Sequence, residues 1–253
     1  HGDMGVIGDV KDPNVARQHP ADYLEGLELT VRGALSEAGV APVKVVGIGV
    51  DATASTPLPV DAQGQALALT DAFKEDPDAM AWLWKDHSSL AEANEITAKA
   101  AALRPEYLAK CGGTYSSEWY WSKILHCARV APQVYAAAHD WIELPDWIPF
   151  VLTGQLKRCL CAAGHKGLYC PDWGGYADAE FLAAVDPCLV RIREGLPDQA
   201  YHIGHAAGGL NKEWANKLGL PEGIPVAMGI IDAHAGAVGS GIQPGTMVKI
   251  MGT

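Results

Sequence analysis

The sequence has no uninterrupted apolar run of the roughly eighteen residues that a membrane-spanning helix needs, so no span is expected. It is also short of positive charge. Lys and Arg number 19 against 30 Asp and Glu, giving a formal charge of −11 and a pI of about 5.2. Phosphate backbones are gripped by clustered Lys and Arg, and the absence of such a cluster argues against a nucleic-acid partner. The 6 cysteines include no C-x-x-C pair. With no signal-peptide pattern at the start, they are expected to be reduced thiols in a cytoplasm rather than a disulfide framework. Cys159, Cys161 and His165 stand close together, but not at zinc-knuckle spacing, and no metal site is expected there. Also missing are G-x-x-x-x-G-K-[ST], a G-x-G-x-x-G opening a βαβ unit, and the G-x-S-x-G nucleophile elbow. The two commonest phosphate cradles and a serine hydrolase are thereby set aside. There is no internal repeat and no low-complexity tract.

What is present is a chain of 253 residues, 49% hydrophobic, enough to bury one large or two modest cores. Leu24, Leu27, Val31, Ala34 and Leu35 recur at three- and four-residue spacing, which predicts a helix over 21 to 38, closed by Gly39. Residues 43 to 50 form a β-branched run, expected as a strand covered on both faces of a mostly parallel sheet. That strand would deliver Asp51-Ala52-Thr53-Ala54-Ser55-Thr56 to the sheet's C-terminal edge, where open α/β sheets hold ligands. Residues 58 to 67 suggest two short strands around a turn. From 77 to about 139 the pattern is helical, broken at Pro105, Gly112-Gly113 and Pro132. Residues 141 to 154 read as a bend and a short helix, with further helices in 178 to 196 and 212 to 219. A strand-like run occupies 246 to 251. Because the chain opens at His1 and stops at Thr253 directly after that run, it is expected to be part of a longer protein.

Four stretches carry chemistry. Ile224 to Ile231 form a β-branched run broken at Gly229, after which Asp232 opens a helix of small residues. A lone Asp at such a junction is by itself no more than an N-cap, so the other three matter. The polar turn at 51 to 56 is one. Trp82-Leu83-Trp84-Lys85-Asp86-His87 is another, an aromatic-polar helix suited to a pocket wall, since sugar faces stack on indoles while hydroxyls need short polar arms. Lys166, flanked by Gly164 and Gly167, is placed to reach a ligand oxygen. Trp119, Tyr120 and Trp121 lie at helical spacing and are expected in the core. Together these are the parts of a sugar or polyol pocket.

Several of these stretches, in order, resemble the FGGY carbohydrate kinases and within them the branch that phosphorylates L-ribulose. They are 46 to 60, Leu83-Trp84-Lys85-Asp86-His87, Tyr115-Ser116-Ser117-Glu118-Trp119, Ala162-Ala163-Gly164-His165-Lys166 and Asp232-Ala233-His234. The resemblance implies an α/β, actin-like and ribonuclease-H-like kinase lobe, a mixed sheet with flanking helices, incomplete here. Residues 1–245 would be the sugar-binding lobe lacking its first strands, and 246–253 the start of an ATP-binding second lobe. It implies ATP-dependent phosphorylation of the terminal hydroxyl of a ketopentose, L-ribulose foremost, in arabinose catabolism. Another FGGY kinase acting on xylulose or ribitol, or a non-catalytic sugar-binding piece, are the alternatives. Carried over residue by residue, Asp232 would be the catalytic base, while Ala54, Trp84, Lys85, Asp86, Trp147 and Lys166 would line the sugar site. Gly252 and Thr253 would open a phosphate-binding turn. ATP and Mg²⁺ are the implied cofactors and a small sugar the partner, with a homodimer left open. The family's Gly-x-Asp-x-Gly-Thr motif would precede residue 1, and 154 to 161 is shorter than in family members.

Overall fold

In the computed structural model, which describes residues 1–2, 5–53 and 55–251, the helix expected at 21 to 38 is α1, Pro20–Ala38. Proline fills its first turn, where a missing amide costs nothing. The His19 ring accepts the Ala21 amide at 3.2 Å, and Gly39 at φ +61° closes the last turn. Leu24, Leu27, Val31 and Leu35 form the inner stripe of α1 and lie half-buried against the central layer.

The strands are short: β1 (Ile7–Gly8), β2 (Ala16–Gln18), β3 (Asp51–Ala52), β4 (Pro57–Val60), β5 (Ala81–Trp82), β6 (Asp140–Glu143), β7 (Tyr169–Cys170), β8 (Gly175–Tyr176), β9 (Ala206–Gly209), β10 (Pro225–Ala227) and β11 (Ile230–Ile231). The remaining helices are α2 (Leu90–Leu103), α3 (Pro105–Ala109), α4 (Tyr120–Val130), α5 (Pro132–Ala137), α6 (Leu144–Thr153), α7 (Leu160–Lys166), α8 (Ala179–Val185), α9 (Cys188–Gly195), α10 (Lys212–Leu218) and α11 (Asp232–Gly239). β2 lies between β1 and β5 in an antiparallel sheet, and β4 pairs antiparallel with β6. β9 pairs with β10, and β3 runs parallel to β11. No helix among the described residues is long and apolar enough to cross a membrane.

Among the described residues this arrangement gives three cores. The largest gathers α2, α4, α8 and α9 around Trp82, Trp121, Trp141, Ile96 and Phe181. A second joins β4, β6, α6 and α10 through Leu58, Ile142, Trp147 and Trp214. Burying a side chain such as Leu58 or Ile142 fully is worth about 1.5–3 kcal/mol. A third, small core of Cys159, Ala162, Ala207, Met228 and Ile231 joins α7 to β9 and β11.

Four local expectations are corrected. Residues 82 to 87 are not helical: Trp82 ends β5, whose partner β2 lies far away in sequence, and the following residues turn. Pairing across that distance leaves no local period for a sequence pattern to show. Residues 43 to 50 are not a strand covered on both faces. Among the described residues they pair through a bridge from Ile48 to Val226 and through the Val50 carbonyl, which accepts the Ile230 amide at 3.0 Å, and Val43 and Val46 are 75% and 82% exposed. Only the first of the two strands expected over 58 to 67 forms, as β4, with a single bridge from Val60 to Ala66 beyond it. Residues 246 to 251 form no strand, and Met247 is exposed.

Candidate active site

The register of β3 against β11 sets up the site. Ile230 faces Asp51 and Ile231 faces Ala52, so the next residues, Asp232 and Thr53, emerge side by side at the C-terminal edge of two parallel strands. Gly229 makes this approach possible, because a Cβ there would run into the carbonyl of Pro145 on α6. The edge opens into a cleft of about 520 Å³, with Asp232, Lys166, Trp84, Ser55, Glu118 and His165 in its walls.

Asp232 is the first residue of α11 and is exposed. Its Oδ1 accepts the Ala233 amide at 2.7 Å, as a carboxylate at a helix N-terminus does, and the helix dipole favours the negative charge. The N-cap position falls on Ile231, so Asp232 is not the cap expected of it but the first helical residue, with only its Oδ1 engaged by the Ala233 amide. Asp51, one strand away, is held above the usual carboxylate range by burial and by the charge of Asp232.

Lys166 ends α7 and is 7% exposed, an unusual state for a lysine. The aromatic stripe explains how it is held. Tyr115 donates its hydroxyl to the Lys166 carbonyl at 2.6 Å, and the Trp121 indole donates to the Gly167 carbonyl at 2.8 Å. The ammonium sits 5.3 Å from the Trp119 ring centre and 3.4 Å from His165 Nε2. Burial lowers the Lys166 pKa, opposed by the carboxylates of Glu143, Glu118 and Asp232. At the other end of α7, the Cys159 amide donates to Asp146 at 2.7 Å.

The polar turn is equally fixed. Ser55 has a left-handed backbone, φ +59°, and its carbonyl accepts from the buried Lys123 ammonium at 2.5 Å. The same ammonium donates to Leu83 O at 2.7 Å, tying the turn to the segment that carries Trp84. The Thr56 amide donates to Glu143 Oε2 at 2.9 Å. Burial pushes Glu143 up to about 7, opposed by Lys123. The Ser55 hydroxyl is buried at the cleft wall, and neither it nor Glu143 Oε1 has a hydrogen-bond partner among the described residues.

Of the residues singled out from the sequence, Asp232, Lys166 and Trp84 meet in this cleft. Lys85 is exposed and lies outside the cleft wall. Asp86 is withdrawn from it: fully buried, it pairs with Arg17 and accepts the Ala16 amide at 2.7 Å. Trp147 is also a core residue, 1% exposed, its indole donating to Gly64 O at 3.2 Å. Ala54, Gly252 and Thr253 lie outside the described residues. Ser55, Glu118 and His165 were not singled out, although each stands inside a stretch that was; their orientation depends on strain and packing that spacing does not encode.

The chain matches the FGGY family of carbohydrate kinases, N-terminal domain, over residues 5–239. It belongs to that family. Among curated relatives, it is 43% identical over 244 residues to the ribulokinase of Vibrio parahaemolyticus, covering 94% of this chain and 43% of that protein. It is 41% identical over 258 residues to the ribulokinase of Geobacillus thermodenitrificans, covering 98% of this chain and 46% of that one. The chain thus spans less than half the length of these relatives. Among solved structures, a ligand-bound xylulose kinase from Lactobacillus acidophilus superposes with TM-score 0.73 at 16% identity, covering 92% of this chain and 43% of that one. Plasmodium falciparum glycerol kinase with ADP gives 0.70 at 16%, covering 92% and 44%. At that identity they show the fold, the actin-like, ribonuclease-H-like lobe of the sugar kinases.

Proposed function

We propose that this chain is the sugar-binding lobe, over 1–245, of a cytoplasmic ATP-dependent kinase that phosphorylates the 5-hydroxyl of L-ribulose in arabinose catabolism, with 246–253 leading into a second, nucleotide-binding lobe. The observation that supports this most is Asp232, an exposed carboxylate at a helix N-terminus, opening on the same cleft as a nearly buried Lys166 and the Trp84 indole. A primary alcohol is a weak nucleophile, and a carboxylate within hydrogen-bond reach can orient it and take its proton. Asp232 Oδ1 holds the Ala233 amide, which leaves Oδ2 to receive that proton. Lys166 donates a charge-assisted hydrogen bond to a sugar oxygen, and Trp84 offers a flat apolar face to the carbon skeleton. The Ser55 hydroxyl, without a partner among the described residues, supplies a further polar arm.

ATP, with Mg²⁺, supplies the phosphoryl group. Among the described residues no group of three or more His, Cys, Asp or Glu side chains could hold a metal ion, and Gly252 and Thr253, the expected start of a phosphate-binding turn, lie outside them. Because the chain spans less than half of its curated relatives, the donor's site is assigned to the rest of a longer kinase, and no step here runs through it. Sugar identity is tested by steady-state rates of the full-length kinase on L-ribulose, D-xylulose, ribitol and related pentoses. L-Ribulose is expected to give the highest kcat/KM; a clear preference for xylulose or ribitol would overturn the substrate assignment. The close relatives named ribulokinase support the choice.

A further inference from the structure

α11 contributes no buried side chain, so the helix that opens with Asp232 is not held by a hydrophobic face of its own. Besides the β3–β11 pairing that leads into it and Ala233, which packs on the small third core, one sulfur ties down its first turn. Cys161, half-buried on the neighbouring α7, accepts the Ile231 amide at 3.4 Å, and its Sγ lies 2.6 Å from His234 Nδ1. Ile231 immediately precedes Asp232, and His234 follows it by two residues. The His234 ring in turn stacks on His165, with centroids 5.3 Å apart and planes 13° from parallel, beside Lys166. Ile231 and Ala162 complete the contact in the small third core.

Burial raises the Cys161 thiol and lowers the His234 imidazole, so both are neutral at pH 7. In the tautomer with Nδ1 unprotonated the thiol donates to it, and in the other Nδ1–H donates to the sulfur; in both a sulfur lone pair accepts the Ile231 amide. The pair is a neutral clamp, unlike the ionised thiolate and imidazolium of a cysteine nucleophile.

We propose that Cys161 is a positioning residue: its sulfur holds the residues on both sides of Asp232, through the Ile231 amide and the His234 ring, and so fixes the carboxylate relative to Lys166. This rests on the reading of Asp232 as the base. Misplacing a reacting group by about 1 Å can cost about 100-fold in rate. A positioning residue therefore shows in kcat while leaving the sugar contacts made by Lys166 and Trp84 in place.

The test uses the full-length kinase carrying this segment, with Cys161→Ala, Cys161→Ser, His234→Ala and Asp232→Asn compared by kcat, sugar KM and thermal unfolding. Cys161→Ala is expected to lower kcat about 10- to 100-fold with sugar KM within about twofold. Cys161→Ser, whose hydroxyl can replace both hydrogen bonds, should recover most of that loss. His234→Ala should match Cys161→Ala, and the double variant should lose little more than either single one. Unchanged kcat in folded Cys161→Ala, or a loss that Ser does not relieve, overturns the proposal. If Cys161→Ala does not fold, His234→Ala at its half-buried position decides, and an unchanged kcat there overturns the proposal equally. Normal turnover in Asp232→Asn would instead remove the functional reading on which the clamp depends. An inactive Asp232→Asn beside a normal Cys161→Ala would remove the clamp alone.

Discussion

The Lys166 ammonium lies 3.4 Å from Nε2 of His165, and both side chains face the cleft that Asp232 opens on. For the ammonium to donate to that nitrogen, the ring must be neutral. Burial, then the charges of Lys166 and His234, push His165 from 6.5 down to about 4. The sign follows from proton counting. Between about pH 6.5 and 4 the unfolded chain binds a proton that the folded chain does not, so stability falls as pH falls through that window. His165→Gln removes this dependence. Denaturation midpoints at pH 7, 6 and 5 should show wild type losing stability faster than His165→Gln; parallel losses would contradict the neutral ring.

Lys166 itself is predicted to act on sugar binding. Hydrogen bonds to charged groups contribute about 1.5–3 kcal/mol, so Lys166→Met should raise sugar KM by roughly 10- to 150-fold. Its apolar stem keeps the packing over Trp119. Steady-state kinetics with varied sugar measure this, and an unchanged KM would place Lys166 outside the binding contacts.

Asp86 should behave differently from any pocket residue. The Arg17 guanidinium lies 3.4 Å from the Trp82 ring centre and pairs with Asp86, with both side chains almost wholly buried. Removing one partner of a buried ion pair typically costs about 3–5 kcal/mol; Arg17 keeps a second carboxylate, Asp78 at 3.2 Å, so Asp86→Ala is expected to lower stability by about 3 kcal/mol, the low end of that range. Urea denaturation measures the loss. A normal midpoint together with weakened sugar binding would restore Asp86 to the pocket.

Helix α1 and the strand-to-helix junction at Asp232 were legible in the sequence because each is written in short-range spacing: a 3.6-residue stripe and a glycine before a carboxylate. The 82 to 87 segment was not. Its structure is set by antiparallel pairing of Trp82 with Arg17 and by the Arg17–Asp86 ion pair, whose partners are 69 residues apart. The expected covering of 43 to 50 failed for the same kind of reason, since burial of a strand depends on its neighbours rather than its own residues. Ser55 reaches the cleft wall through a left-handed backbone that its residue type does not announce.

The role of Asp232 is the centre of the account. In the full-length kinase, Asp232→Asn keeps the shape of the cleft and the hydrogen bond from the Ala233 amide but cannot take a proton. Turnover measured by coupled ADP release should fall about 10²–10⁴-fold, the usual contribution of a general base, with the sugar dissociation constant nearly unchanged by calorimetry. Near-wild-type turnover in that variant would contradict the assignment of Asp232 as the base.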